Sequence, residues 1–155
     1  MHIINPFTEK VIKDVREDNP DTIKKKSLLA QKAQKHWAQL PLKERLACIQ
    51  RFYDKLEEQE SKLAKILTSE VGKPITQSHS ELKGARNRIR FFLDHSEQWL
   101  REEWMVTEGG LTEKIVYEPL GVIANISAWN YPWLVGVNVF VPALIAGNAV
   151  LYKPS

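Results

Sequence analysis

From Pro20 onward, apolar residues recur at three- and four-residue spacing, the period of an amphipathic helix. Ile23, Ala30, Ala33 and Trp37 mark one stripe that runs to Leu40. It starts behind Asp18-Asn19-Pro20, where the proline suits a first helical turn. Pro41 punctuates. A second stripe follows at Leu42, Leu46, Ile49, Tyr53 and Leu56, with Glu44, Arg45, Asp54, Lys55 and Glu58 lying elsewhere. It resumes at Leu63, Ile66 and Leu67 and stops at Gly72-Lys73-Pro74, a glycine cap followed by a proline. A third long helix carries Ile75, Leu82, Ala85, Ile89, Phe92 and Trp99. Ahead of the helices, residues 3–15 read as a short extended start. At Trp104 the period changes. Residues 104–107, then Glu108-Gly109-Gly110, then residues 112–118 predict a β-hairpin with a glycine turn. Its strands have few apolar residues to bury, so it suits pairing with another chain better than forming a core. From Gly121 the pattern predicts a strand (121–126), a loop (127–133), a helix (134–146) and a strand (149–152). Both strands are continuously apolar, as parallel strands covered on two faces are. The expectation is an α/β fold with one βαβ unit. Because a parallel sheet needs more than two strands, the chain is expected to be the front piece of a larger protein. No internal repeat or low-complexity tract occurs.

Composition sharpens this picture at one place. The 155 residues are 43% apolar and 26% charged, ordinary values that exclude disordered, collagen-like and disulfide-scaffold classes. Every Asp, Glu, Lys and Arg except Lys153, however, lies before Pro119. That charge-free last quarter either enters a membrane or is core material awaiting cover. Residues 133–152 are long enough to span a bilayer. Asn138, Asn148 and Pro142 within them, and the lack of a flanking basic cluster, favour buried soluble core. The N-terminus has neither the basic nor the apolar region of a signal peptide. A single cysteine, Cys48, excludes an internal disulfide and fits a reducing, cytoplasmic setting. Net charge is +3, and Lys24-Lys25-Lys26 is the only basic run, so no nucleic-acid partner is expected.

Candidate chemistry is sparse. His2, His36, His79 and His95 have no metal-binding spacing. Cys48 sits on an apolar helix face and reads as a buried structural thiol. The pairs Glu57-Glu58 and Glu102-Glu103 read as solvated, and no Gly-x-Gly-x-x-Gly fingerprint occurs among the seven glycines. What remains is the loop Ser127-Ala128-Trp129-Asn130-Tyr131-Pro132, at the carboxyl end of a buried strand, where open α/β sheets bind ligands. Lys153 lies at the carboxyl end of the next strand. An amide there can donate to a developing oxyanion, and a lysine can bind a ribose hydroxyl or a phosphate. Equally, Asn130 could cap the helix or close a turn before Pro132, and Lys153 could be the first residue to reach solvent.

Two longer motifs carry a resemblance. Residues 118–132, Glu-Pro-Leu-Gly-Val-Ile-Ala-Asn-Ile-Ser-Ala-Trp-Asn-Tyr-Pro, and residues 142–155, Pro-Ala-Leu-Ile-Ala-Gly-Asn-Ala-Val-Leu-Tyr-Lys-Pro-Ser, closely resemble the aldehyde dehydrogenase superfamily. Asn5-Pro-Phe-Thr-Glu-Lys-Val-Ile and Glu70-Val-Gly-Lys-Pro agree with it. The resemblance covers essentially the whole chain, in order, as the N-terminal portion of that longer family. It implies a Rossmann-like cofactor domain, with residues 1–104 as its helical part, 105–118 as an oligomerisation hairpin, and 119–155 as the first strand-loop-helix-strand of the dinucleotide-binding sheet. It implies oxidation of an aldehyde to an acid with NAD or NADP, through a cysteine adduct, and a homo-oligomer. Asn130 matches the family's oxyanion donor. Ile126, Ser127, Ala128 and Trp129 match the strand end that lines the cofactor. Lys153, with Pro154 and Ser155, matches the lysine segment that contacts the adenosine ribose or its phosphate. Ala128 departs from the proline usual before Trp-Asn. The family's catalytic cysteine and general-base glutamate lie downstream of the residues matched here, and Cys48 does not match that cysteine. The 155 residues alone are therefore expected to be inactive. Two alternatives remain: a stand-alone oligomerising protein on this fold, and an acyl-phosphate reductase on the same scaffold.

Overall fold

The computed structural model describes residues 1–106, 109 and 111–155. Two strands, β1 (His2–Ile4) and β2 (Val11–Asp14), pair antiparallel at the N-terminus. The turn between them docks on the end of a later helix. Gly72 there adopts φ +78, and a Cβ on it would lie 2.7 Å from Pro6 Cγ. Helix α1 (Pro20–Gln39) begins with a capping box, in which Asn19 Oδ1 accepts from the Thr22 amide and Thr22 Oγ1 accepts from the Asn19 amide, each at 2.9 Å.

Helix α2 (Leu42–Glu58) and helix α3 (Glu60–Val71) are separate elements, divided at Gln59. Helix α4 (Ile75–Trp99) follows the Gly72 stop. Strands β3 (Glu103–Val106) and β4 (Thr112–Ile115) form the expected hairpin. Its second strand ends three residues before Glu118, and its predicted turn residues Glu108 and Gly110 lie outside the described residues. Then come β5 (Val122–Ile126), α5 (Pro132–Ile145) and β6 (Ala149–Lys153), with β5 and β6 parallel.

Helix α5 is the centre of the packing. Val137, Val141 and Ile145 on it meet Ile49 and Leu56 of α2 and Ala85 and Ile89 of α4 in one buried cluster. It also packs against β5 and β6, and α1 packs against the same two strands. The stripe expected on α1 is only half realised: Ala30 and Trp37 are partly buried, whereas Ile23 and Ala33 are exposed. Length explains this. A 20-residue helix is about 30 Å long, and five-residue strands run about 17 Å, so the sheet cannot cover it.

Helix α5 starts two residues earlier than its hydrophobic period suggests, with Pro132 in its first turn, and it continues through Pro142. Gly147 at φ +88 ends it, turning the chain so that the Asn148 amide reaches the Ala143 carbonyl at 2.9 Å. Asn148, buried, then accepts from the Gly121 amide at 2.9 Å and donates to the Ala143 carbonyl at 3.1 Å, locking the start of β5 to the end of α5. No helix among the described residues is long and apolar enough to cross a membrane.

Candidate functional site

An apolar helix still has orphan amides at its start and orphan carbonyls at its end. Helix α5 has no acidic residue in its first turn, no basic residue in its last, and no side-chain cap from Tyr131 at its N-cap position. Besides Asn148, side chains from the charged part of the chain serve both of its ends. At the carboxyl end, Gln34 Nε2 donates to the Gly147 carbonyl at 3.0 Å, Trp37 Nε1 to Leu144 at 2.7 Å, and Arg45 Nε to Ile145 at 2.9 Å. Burial draws the Arg45 guanidinium below its ordinary pKa; the carbonyls of Ile145, Ala38 and Leu40 offset that desolvation. At the amino end, Glu81 of α4 accepts from the Trp133 amide at 2.8 Å and the Leu134 amide at 3.3 Å. The other Glu81 oxygen meets Lys73 Nζ at 2.5 Å, and the same ammonium donates to the Asn130 carbonyl at 2.8 Å.

The loop that begins where β5 ends is thereby placed at the amino end of α5. Ile126 pairs in register with Lys153, and the Ser127 amide donates to the Lys153 carbonyl at 3.1 Å, so the loop and Lys153 share the carboxyl edge of the two strands. Ile126 and Trp129 are nearly four-fifths exposed, which gives this edge an apolar platform. Asn130 and Lys153 are exposed, as are Pro154 and Ser155, and Ala128 is half-buried. The helix-capping alternative for Asn130 fails, because Glu81 does that work and the Asn130 side-chain amide has no hydrogen-bond partner among the described residues. Ser127 is buried, and its Oγ has no hydrogen-bond partner among the described residues. An exposed ammonium, an apolar platform, an amide and a buried hydroxyl thus share one strand edge.

Elsewhere the expectations need adjustment. Cys48 is half-buried rather than buried, lying beside Trp37, Ile49, Phe52, Phe140 and Leu144, with Arg51 donating to its sulfur at 2.8 Å. It is on α2, on a different element from the loop. Glu57 is exposed but not merely solvated, since it and Glu60 both pair with Arg86. No group of three potential metal ligands occurs among the described residues. Lys73 and Glu81 were not singled out by the sequence reading. The available signal was positional: Glu81 lies on the α4 stripe shared by Ser78, Leu82, Ala85 and Ile89, all buried, where a carboxylate demands a partner.

Comparison with known proteins places this geometry. The aldehyde dehydrogenase family model matches residues 1–155. The 3,6-anhydro-alpha-L-galactose dehydrogenase of Vibrio sp. is 29% identical over 155 residues, covering 99% of this chain and 32% of the relative. A probable NADP(+) succinate-semialdehyde dehydrogenase of Synechocystis sp. is 32% identical over 150 residues, covering 97% of this chain and 33% of its own. Among solved structures, aldehyde dehydrogenase from Brucella melitensis superposes with a TM-score of 0.95 at 28% identity, over 99% of this chain and 32% of that one. The NADP complex of NADP-dependent glyceraldehyde-3-phosphate dehydrogenase from Bacillus halodurans gives 0.94 at 27% identity, over 100% and 34%. The chain spans about a third of the length of these relatives. With its sequence matched from end to end and its fold superposing throughout, the chain belongs to the aldehyde dehydrogenase family.

Proposed function

We propose that these residues supply the oxyanion donor and part of the cofactor edge of an NAD(P)-dependent aldehyde dehydrogenase. The observation that carries this is the Asn130 side-chain amide, exposed and without a partner among the described residues at the carboxyl edge of β5, on a loop whose backbone is held by the Lys73 ammonium. As the aldehyde carbonyl becomes tetrahedral, charge collects on its oxygen. The Asn130 amide donates to that oxygen, and a preorganised donor of this kind contributes about 3–4 kcal/mol. Lys153 holds a ribose hydroxyl or an adenosine-side phosphate, and Ile126, Ser127, Ala128 and Trp129 form the surface on which the dinucleotide lies, with Pro154 and Ser155 continuing that edge. Bound NAD(P)+ supplies the hydride acceptor. A relative named as NADP(+)-dependent and a structural neighbour solved with NADP support the cofactor class.

The 155 residues contain one cysteine, Cys48, which is not at this edge, so by themselves they do not turn over aldehyde. In the organisation we propose, residues 1–104 and 119–155 belong to the cofactor domain, and residues 105–118 mediate assembly. The exposed apolar side chains of Trp104, Met105, Leu111 and Ile115 support a homo-oligomer built through that hairpin. The lone, half-buried Cys48 suits a cytoplasmic protein. The test is aldehyde-dependent reduction of NAD+ or NADP+ by the protein expressed at the length its gene encodes, with Lys153→Ala expected to raise the KM for cofactor. Absence of that activity, or cofactor-dependent reduction of an acyl phosphate in its place, would overturn the proposal.

A further inference from the structure

The Asn130 loop is held by a side chain outside it. Lys73 lies in the Gly72-Lys73-Pro74 turn between α3 and α4, more than fifty residues away along the chain. Its ammonium reaches Glu81 at 2.5 Å and the Asn130 carbonyl at 2.8 Å, and it sits 4.3 Å above the Tyr131 ring. A lysine has three N–H donors, so it can serve the carboxylate and the carbonyl together. The Lys73 side chain is 10% exposed and the Glu81 side chain 0%. Glu81 also receives the Trp133 and Leu134 amides. Residue 130 and the first turn of α5 are therefore both referred to one buried point on α4.

Stability alone is a poor account of this arrangement, because apolar side chains of similar volume hold a buried site about as well as an ion pair does. They cannot hold a carbonyl. Among the described residues, Lys73 is the one hydrogen-bond partner of Asn130, and it grips the backbone while leaving the side-chain amide free. We infer that Lys73, seated on Glu81, is a positioning residue that sets the direction of the Asn130 amide. The inference rests on the reading of Asn130 as oxyanion donor and deepens it.

Four variants test it in the protein at the length its gene encodes: Lys73→Met, Lys73→Arg, the double variant Lys73→Met with Glu81→Gln, and Asn130→Ala. Lys83→Met, an exposed lysine on α4, is the control. Lys73→Met should lower kcat roughly 10- to 100-fold, the cost of misplacing a reacting group by about an ångström, with the KM for cofactor unchanged. Lys73→Arg should recover most of that loss. The double variant removes the unpaired charge, so its melting temperature should recover while its kcat stays low. Recovery of kcat together with melting temperature would show a merely structural role and overturn the inference. So would wild-type kcat in Lys73→Met when Asn130→Ala is impaired. A wild-type kcat in Asn130→Ala strikes the oxyanion reading instead. NMR on the same protein then reads the position of the amide without turnover. Asn130 side-chain amide signals that shift in Lys73→Met and return in Lys73→Arg support it, and unmoved signals overturn it.

Discussion

Replacing Glu81 by alanine should destabilise this protein more than any substitution on its surface. The side chain is fully enclosed and makes three interactions: the Trp133 amide at 2.8 Å, the Leu134 amide at 3.3 Å and the Lys73 ammonium at 2.5 Å. Losing an N-terminal helix cap costs about 1 kcal/mol. Removing one member of a buried ion pair costs about 3–5 kcal/mol, because the other charge is stranded. These effects share atoms, so they do not add. A loss of about 4 kcal/mol is expected for Glu81→Ala, a large part of the roughly 5–15 kcal/mol that holds a domain folded. Glu81→Gln keeps an oxygen for the two amides and loses the charge, so it should fall between alanine and wild type. Urea unfolding followed by tryptophan fluorescence reads both, since Trp133 itself sits at the affected helix start. A Glu81→Ala midpoint within error of wild type, at unchanged m-value, would refute the reasoning.

Gly136 on α5 is buried, and a Cβ there would lie 2.5 Å from Tyr152 Oη and 3.1 Å from its Cζ. Gly136→Ala should therefore cost about 1–3 kcal/mol through overpacking, despite alanine's better helix propensity, and Tyr152→Phe should relieve part of that cost by removing the nearest atom. Equal unfolding midpoints for wild type and Gly136→Ala would contradict the packing. Asp18 is held below its ordinary pKa of 3.8, first by the hydrogen bond from Lys26 and then by that with Thr22. A lowered carboxylate stabilises the fold above its ordinary pKa and loses that contribution as pH falls through the lowered value. Asp18→Asn should thus melt below wild type near neutrality, and the difference should shrink in strong acid; a gap that widens there would reverse the sign.

The helices were readable because their stripes and stops are local. Asn19-Pro20, Gly72-Lys73-Pro74 and Gly147 each carry their own conformational reason, and the structure ends or begins helices at those points. The break at Gln59 was not readable, because Leu63 follows Leu56 by seven residues, about two helical turns, so the stripe resumes in phase beyond the polar residues 57–62. Ile23 and Ala33 follow the helical period yet stay exposed, since the period shows which face could be buried but not how much sheet lies beneath it. The charge-free segment was legible as core, but the partners of its polar groups were not. Glu81, Arg45 and Trp37 reach α5, and Lys73 reaches the loop before it, from about 50 to more than 100 residues away in sequence, a distance that no local pattern spans. Glu81 alone left a trace, as a carboxylate on a buried stripe.

In the function we propose, the Asn130 amide stabilises a developing oxyanion. Steady-state kinetics of Asn130→Ala against wild type, in the protein at the length its gene encodes and at saturating NAD+ or NADP+, test it most directly. Asn130→Ala should lower kcat about 100- to 1,000-fold, the loss typical of one oxyanion donor, with the melting temperature and the KM for cofactor unchanged. A kcat equal to wild type would contradict it.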